Sequence, residues 1–121
     1  GGGSVIITAS NSGVQYDPEM IAYATTKHAV VAMTRQMAAD YAKHNIRFNT
    51  LCPGFIDTPF NAGFEKQMGG REKLENYISQ TIPMGRWGTT GEVADSILFL
   101  ASDMSTFMTG HALVIDGGEC I

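Results

Sequence analysis

VIITASNSGVQYDPEMIAYATTKHAVVAMTRQMAADYAKHNIRFNTLCPG, residues 5–54, is the stretch whose reading decides the fold. Val5-Ile6-Ile7-Thr8-Ala9 is a short apolar, β-branched run and reads as a buried strand. The polar cluster Ser10-Asn11-Ser12-Gly13 breaks it, so this cluster stands at the strand's carboxyl end. Asp17-Pro18 reads as a helix start, a carboxylate at the N-cap followed by proline in the first turn. From Glu19 to about Lys43 no Pro or Gly intervenes. That predicts one long helix, about 38 Å at 1.5 Å per residue. Met20, Ala24, Val31 and Ala38 point one way, and Val30, Met33, Met37 and Tyr41 another. A helix apolar on two sides predicts burial against its own sheet and against a partner subunit. Asn45 stops the helix, Ile46–Cys52 reads as a second strand, and Pro53-Gly54 ends it.

Working outward, Gly1-Gly2-Gly3-Ser4 is either a linker or a native turn. Beyond Gly54 the chain is glycine-broken as far as Trp87, with helical pieces around Phe64–Met68 and Glu72–Gln80 parted by Gly69-Gly70. Thr89-Thr90-Gly91-Glu92 matches a capping box, and the helix it opens carries Val93, Ile97, Leu100 and Ala101 as an amphipathic stripe. Ala112–Ile115 reads as a third strand closed by Gly117-Gly118. Strands alternating with helices through long crossovers predict an α/β fold with a parallel sheet, the first crossover right-handed. Three parallel strands alone leave two edges with unpaired backbone groups. Residues absent from this chain, or a partner, are therefore expected to cover them.

Composition bounds the function. The chain has 121 residues, enough for one domain; 44% are hydrophobic and 17% charged, an ordinary globular balance. Net charge is −4 and there is no Lys/Arg run, so neither nucleic acid nor an anionic membrane surface is expected as a partner. No apolar stretch approaches the roughly 20 residues that span a bilayer, and no secretory signal pattern is present. Cys52 and Cys120 read as intracellular thiols, and His28, His44 and His111 have no metal-ligand spacing with them. A cytoplasmic, metal-free protein is the expectation.

The chemistry lies with Tyr23 and Lys27, i and i+4 on the long helix and so on one face, one turn apart. A free phenol has a pKa of about 10; bringing it to about 7 takes some 4 kcal/mol of differential stabilisation. A neighbouring ammonium supplies stabilisation of that kind. A tyrosine poised near the working pH serves as general acid or base on a carbonyl or alcohol. Such a pair alone is usually surface packing. Its context is Ser10, thirteen residues earlier at a strand's carboxyl end, where open parallel sheets place their ligands. The Ser10 hydroxyl can hold a substrate oxygen, with Ser12 as a rival donor and a plain turn role open to both.

Five motifs in order carry a resemblance: Ser10; Tyr23-Ala24-Thr25-Thr26-Lys27 as Y-x-x-x-K; Ile46-Arg47-Phe48-Asn49 leading to Pro53-Gly54; Phe55-Ile56-Asp57-Thr58-Pro59; and Asp116-Gly117-Gly118. The set resembles the short-chain dehydrogenase/reductase family, in particular its 3-oxoacyl-ACP reductase-like members. The resemblance implies a partial Rossmann-like parallel sheet, strands 5-6-7 of the family fold, flanked by helices. Residues 1–121 would then be the carboxyl-terminal half of one Rossmann domain. It implies Tyr23 as proton donor and acceptor, Lys27 lowering its pKa while binding the nicotinamide ribose, and Ser10 holding the substrate oxygen. Pro53, Gly54, Ile56 and Thr58 would close over the nicotinamide, Ile56 through its backbone. Residues 60–88 would form a substrate lid, whose Phe60, Phe64, Met68, Tyr77, Met84 and Trp87 suit an apolar substrate or simply pack the lid.

The expected function is an NAD(P)-dependent oxidoreductase for an alcohol/ketone pair, using NAD or NADP. A homodimer or homotetramer would form through the long helix. The family's glycine-rich first turn, its NAD/NADP-discriminating residue and its catalytic Asn have no counterpart in these residues. The alternative is therefore a catalytically incomplete piece acting as an assembly module.

Overall fold

The computed structural model describes residues 1–121. Three parallel strands organise it: β1 (Gly3–Thr8), β2 (Ile46–Pro53) and β3 (Ala112–Ile115), side by side in that order. Pairing runs from Gly3 opposite Ile46 to Thr8 opposite Leu51, then from Thr50 opposite Ala112 to Pro53 opposite Ile115. The carboxyl ends of all three strands are thereby brought to one edge. The α/β reading of the sequence holds, and Gly3-Ser4 proves to be the first rung of β1 rather than a linker.

The first helix, α1, spans Ile21–Tyr41 and starts later than the Asp17-Pro18 signal implies. Its N-cap is Met20, with no side-chain cap. Two facts account for the shift. Glu19 takes a left-handed backbone (φ 63°), which interrupts helical geometry just after the proline. The Asp17 carboxylate is also already engaged, accepting from the Ser12 hydroxyl and from Gln15 Nε2. At the other end the chain turns through Asn45, left-handed at φ 61°, as the sequence suggests.

α1 buries Ala24, Val31, Thr34 and Ala38. Val31 packs with Ala9 and Cys52, flanked by Ala112 and Val114 of β3. The last helix, α4 (Thr90–Ala101), lies on the opposite face. Side chains alternate along β2, so Cys52 faces α1 whereas Arg47 and Asn49 face the end of α4. Ser4, the register partner of Arg47, likewise donates to the Leu100 carbonyl at 2.7 Å. Both crossovers step the same way along the sheet yet pass on opposite faces, so they have opposite hands. One is the hand that βαβ units rarely adopt. The connection from β2 to β3 is long and carries two further helices, which relaxes the constraint that a tight crossover imposes.

Arg47 and Asn49 explain themselves here. The Arg47 guanidinium donates to the Leu100, Ser102 and Met108 carbonyls at 3.1, 3.3 and 3.2 Å and to Ser105 Oγ at 3.0 Å. The last carbonyls of α4 are met from several sides: Ser102 N–H and the Ser4, Ser102 and Ser105 hydroxyls donate to Leu98, Phe99 and Leu100. The Arg47 fork adds to Leu100 and carries on to the Ser102 and Met108 carbonyls beyond the helix. Asn49, fully buried, donates to the Met108 carbonyl and accepts from His111 N–H, both at 3.0 Å. The N-terminus of α4 has the capping box read from Thr89 and Glu92. Arg86 grips the same carboxylate at 2.9 and 3.0 Å. This fork, with the Thr89 backbone N–H, brings the Glu92 carboxyl from 4.5 down to about 2. Of the stripe read on α4, only Leu100 is buried; Val93 is half-buried, and Ile97 and Ala101 are exposed.

Between β2 and α4 stand α2 (Ala62–Met68) and α3 (Arg71–Thr81), joined by Gly69 and Gly70 at φ 94° and 119°. They close a small core of their own: Leu74, Ile78, Ile82 and Trp87, with Phe55, Phe64 and Met68 against it. Most of the lid's aromatic side chains thus pack one another. Phe60 and Met84 stay exposed.

Arg47→Ala removes the charged donor shared by the Leu100, Ser102 and Met108 carbonyls and should lower stability by about 1–3 kcal/mol. Urea unfolding followed by circular dichroism checks this; an unchanged midpoint would show that the fork contributes nothing.

Candidate functional site

The site forms at the shared carboxyl edge of the strands. As β1 ends, Ser10 caps a 3-10 turn over Asn11–Gly13, its Oγ accepting from Ser12 N–H at 3.1 Å. All four residues are buried. The turn is pressed onto α1: a Cβ on Gly13 would stand 2.8 Å from the Lys27 carbonyl oxygen and 2.9 Å from Val31 Cγ2. Only glycine permits that approach, and it fixes the Ser10 turn against the stretch of α1 that carries Lys27.

On that stretch the Lys27 ammonium lies 5.5 Å from the centroid of the Tyr23 ring, within cation–π range. Both residues are half-buried. The Tyr23 hydroxyl has no hydrogen-bond partner and Lys27 no ion pair, although ion pairs occur elsewhere at Arg71 and Arg86. The two serines differ in the same way. Ser12 Oγ gives its proton to the Asp17 carboxylate, a strong charge-assisted bond. Ser10 Oγ donates only to Asn11 Oδ1, at 3.4 Å. Ser10 is therefore the serine whose proton is free to be redirected.

Pro53 ends β2, and Gly54 N–H donates to the Ile115 carbonyl at 2.9 Å. A Cβ on Gly54 would come within 2.6 Å of Asp116 Cβ and 3.2 Å of Asn11 Nδ2, so this glycine joins the β2 exit to the Ser10 turn. Ile56 forms a parallel bridge with Gly88, and its carbonyl accepts from Asn61 Nδ2 at 2.6 Å. The Ile56 N–H and the Thr58 hydroxyl make no hydrogen bond, while the Thr58 carbonyl also takes Asn61. The structure therefore sets the Ser10 turn against the Lys27 backbone and the Gly54 exit against the same turn, with Tyr23 beside the Lys27 ammonium and Ile56 and Thr58 on the segment leaving Gly54. A hollow of about 100 Å³ lies beside Ile56, Trp87 and Ile115 and another of about 380 Å³ over Tyr16, Met20 and His28; neither is lined by Ser10, Tyr23 or Lys27.

Sequence reasoning quoted Asp116-Gly117-Gly118 only as a motif and missed Glu119 and Cys120, which with Asp116 complete this edge. Asp116 Oδ1 and Oδ2 accept from Gly118 and Cys120 N–H at 3.0 and 2.9 Å. Burial opposes ionisation of Asp116, but hydrogen bonds from Cys120, Gly118 and Asn11 together hold its carboxyl below the ordinary range. Glu119 Oε1 accepts from Asn11 Nδ2 at 2.8 Å. Burial raises the Glu119 carboxyl, and the charges of Asp116 and Asp17 add to it against the pull of Asn11. Burial, then Asp116, pushes the Cys120 thiol up to about 12, so it is no nucleophile at neutral pH. No local spacing could have announced the Asn11–Glu119 pair, because only the sheet brings the two ends of the chain together. No helix is long and apolar enough to cross a membrane.

A family model described as enoyl-(acyl carrier protein) reductase matches residues 1–119. Short-chain dehydrogenase srdC of Neurospora crassa is 40% identical over 119 residues, covering 98% of this chain and 43% of its own length. Among solved structures, ElxO with NADP bound superposes with a TM-score of 0.84 at 37% identity, covering 99% of this chain and 46% of that one. 4-Hydroxyisoleucine dehydrogenase complexed with NADH gives a TM-score of 0.79 at 35% identity, over 94% of this chain and 44% of that one. The chain spans less than half the length of these relatives.

Gly13→Ala pushes a methyl into the backbone of α1, where no flexible side chain can yield. It should cost about 1–3 kcal/mol of stability, read by thermal unfolding. An unshifted melting temperature would show that the Ser10 turn is not held by this contact.

Proposed function

The chain belongs to the short-chain dehydrogenase/reductase family, and on that premise we propose that it carries the proton-transfer side of a nicotinamide-dependent oxidoreductase acting on an alcohol/ketone pair. The observation that supports this best is the pair of unpaired groups on α1. Tyr23 and Lys27 stand one helical turn apart, both half-buried, and the turn that holds Ser10, a serine with a redirectable proton, is packed on the Lys27 backbone.

In this reading Tyr23 gives its phenolic proton to the carbonyl oxygen during reduction and takes it back during oxidation. Lys27 keeps positive charge beside the Tyr23 ring, where it attracts the negative charge that develops on the oxygen as the proton leaves. Ser10 turns its hydroxyl from Asn11 toward the same substrate oxygen and stabilises the charge that develops there. A bound nicotinamide, NAD or NADP, supplies or accepts the hydride. The donors available suit such a group. The Ile56 N–H and the Thr58 hydroxyl are free to hold a carboxamide, Lys27 can reach ribose hydroxyls, and Pro53-Gly54 let the chain pass close beside them. Two structural neighbours, one complexed with NADH and the other with NADP bound, support the cofactor class. Two copies would associate through the side of α1 that bears Met33 and Tyr41, which nothing in the chain covers. We assign the protein to the cytoplasm, consistent with its two free thiols.

The second reading, an assembly module without turnover, is favoured by the exposed Met33 and Tyr41 on that side of α1.

In the whole protein, Tyr23→Phe should lower kcat by at least about a hundredfold while leaving thermal stability nearly unchanged. Nicotinamide absorbance with a ketone such as cyclohexanone or ethyl acetoacetate follows it, and unchanged turnover would end the mechanism. Titration of the purified chain with NADH and NADPH separates the readings. The assembly reading expects no saturable binding; micromolar binding by this chain alone would sink it.

A further inference from the structure

The pair formed by Asn11 and Glu119 has no place in the proton transfer just described, yet it sits directly behind Ser10. Asn11 is buried, and its side-chain amide is held at both ends. Nδ2 donates to Glu119 Oε1 at 2.8 Å, and Oδ1 accepts from Ser10 Oγ at 3.4 Å. An amide in isolation could flip, exchanging nitrogen for oxygen. An ionised carboxylate only accepts hydrogen bonds, so Glu119 compels the nitrogen to face it and the oxygen to face Ser10. With Asn11 so oriented, the Ser10 hydroxyl has an acceptor on one side and the Ser12 N–H on the other, which restricts its rotation. The bond to Asn11 is long enough to be given up when a substrate oxygen arrives.

We propose that Glu119 is a positioning residue: acting through the Asn11 amide, it sets the orientation of the Ser10 hydroxyl, so the carboxyl-terminal tail tunes the substrate-holding serine. This rests on the role given to Ser10 above. The tail is well anchored for the purpose. Asp116 accepts two backbone N–H groups from it, and Gly117 accepts from Met84 N–H at 3.1 Å. A Cβ on Gly117 would lie 2.7 Å from Ile82 Cγ2, so the tail also bears on the end of the lid's core. Glu119 faces Asn11, Asp116 and Asp17, with no cation against it.

The test is a mutant cycle in the whole protein, following nicotinamide absorbance with cyclohexanone or ethyl acetoacetate. Ser10→Ala should lower kcat by about a hundredfold. Glu119→Ala should lower kcat by about tenfold with KM changed less than about twofold, the pattern of a misplaced group rather than lost binding. Glu119→Gln, whose amide oxygen still accepts from Asn11, should recover most of that loss. In the Ser10→Ala background, Glu119→Ala should have almost no further effect. Full additivity of the two substitutions, a kcat for Glu119→Ala equal to that of the parent, or failure of Glu119→Gln to recover it would each overturn the inference while leaving Ser10 in its role. Parental turnover in Ser10→Ala would instead bring down the role of Ser10 and the inference with it.

Discussion

The structure depends on β2 being paired along both edges and covered on both faces. A strand so placed has no water for any polar group, so whatever polar side chains it carries must be satisfied from within. Of its polar side chains, Arg47 and Asn49 reach the same place: the carbonyls where α4 ends and the chain turns back toward β3. The arrangement serves two ends together. The segment that follows α4 is tied to the sheet, and these two residues of the strand gain partners. It also sets where β3 enters, through Asn49 and His111 N–H, and so keeps the three carboxyl ends level.

Because those ends are level, three turns distant in sequence become neighbours. The Ser10 turn, the Pro53-Gly54 exit and the Asp116 tail meet at distances only glycine allows. Gly13 lies against the α1 backbone and Gly54 against Asp116 and Asn11. The chemistry draws on what this packing leaves unsatisfied. Within one small region some groups are committed, Ser12 to Asp17 and Asn11 to Glu119, while the Tyr23 hydroxyl, the Lys27 ammonium and the Ile56 N–H are not. A rigid frame of committed groups holding a few uncommitted donors is what pre-organised polar catalysis requires.

The segment between β2 and α4 follows a different rule. α2 and α3 wrap Leu74, Ile78, Ile82 and Trp87 into a core separate from the one beneath α1, tied to the sheet chiefly through the Ile56–Gly88 bridge and the packing of Gly117 on Ile82. Its aromatic residues serve this core first. Arg71 lies 5.0 Å over Trp87, and Glu75 accepts from the indole N–H at 3.0 Å.

Much of this was legible in the residues themselves, because the signals involved are local. Alternation of strand and helix marks the parallel sheet, and the i, i+4 spacing of Tyr23 and Lys27 puts them on one face. Thr89 and Glu92 declare the start of α4, and Gly69-Gly70 the break between α2 and α3. The true start of α1 was not legible: Asp17 spends its carboxylate on Ser12 rather than on the helix, a competition visible only in three dimensions. Nor could local pattern show that α4 lies on the face opposite α1, that Arg47 serves a helix end more than fifty residues away, or that Ser10 rather than Ser12 keeps a free proton. The sequence by itself determined the elements and which side chains are candidates for the site, since propensity, capping and helical spacing act over a few residues. Only the tertiary structure decided which groups are already hydrogen-bonded and that Glu119 stands behind Asn11. Those contacts join residues whose proximity is a product of strand register, not of sequence distance.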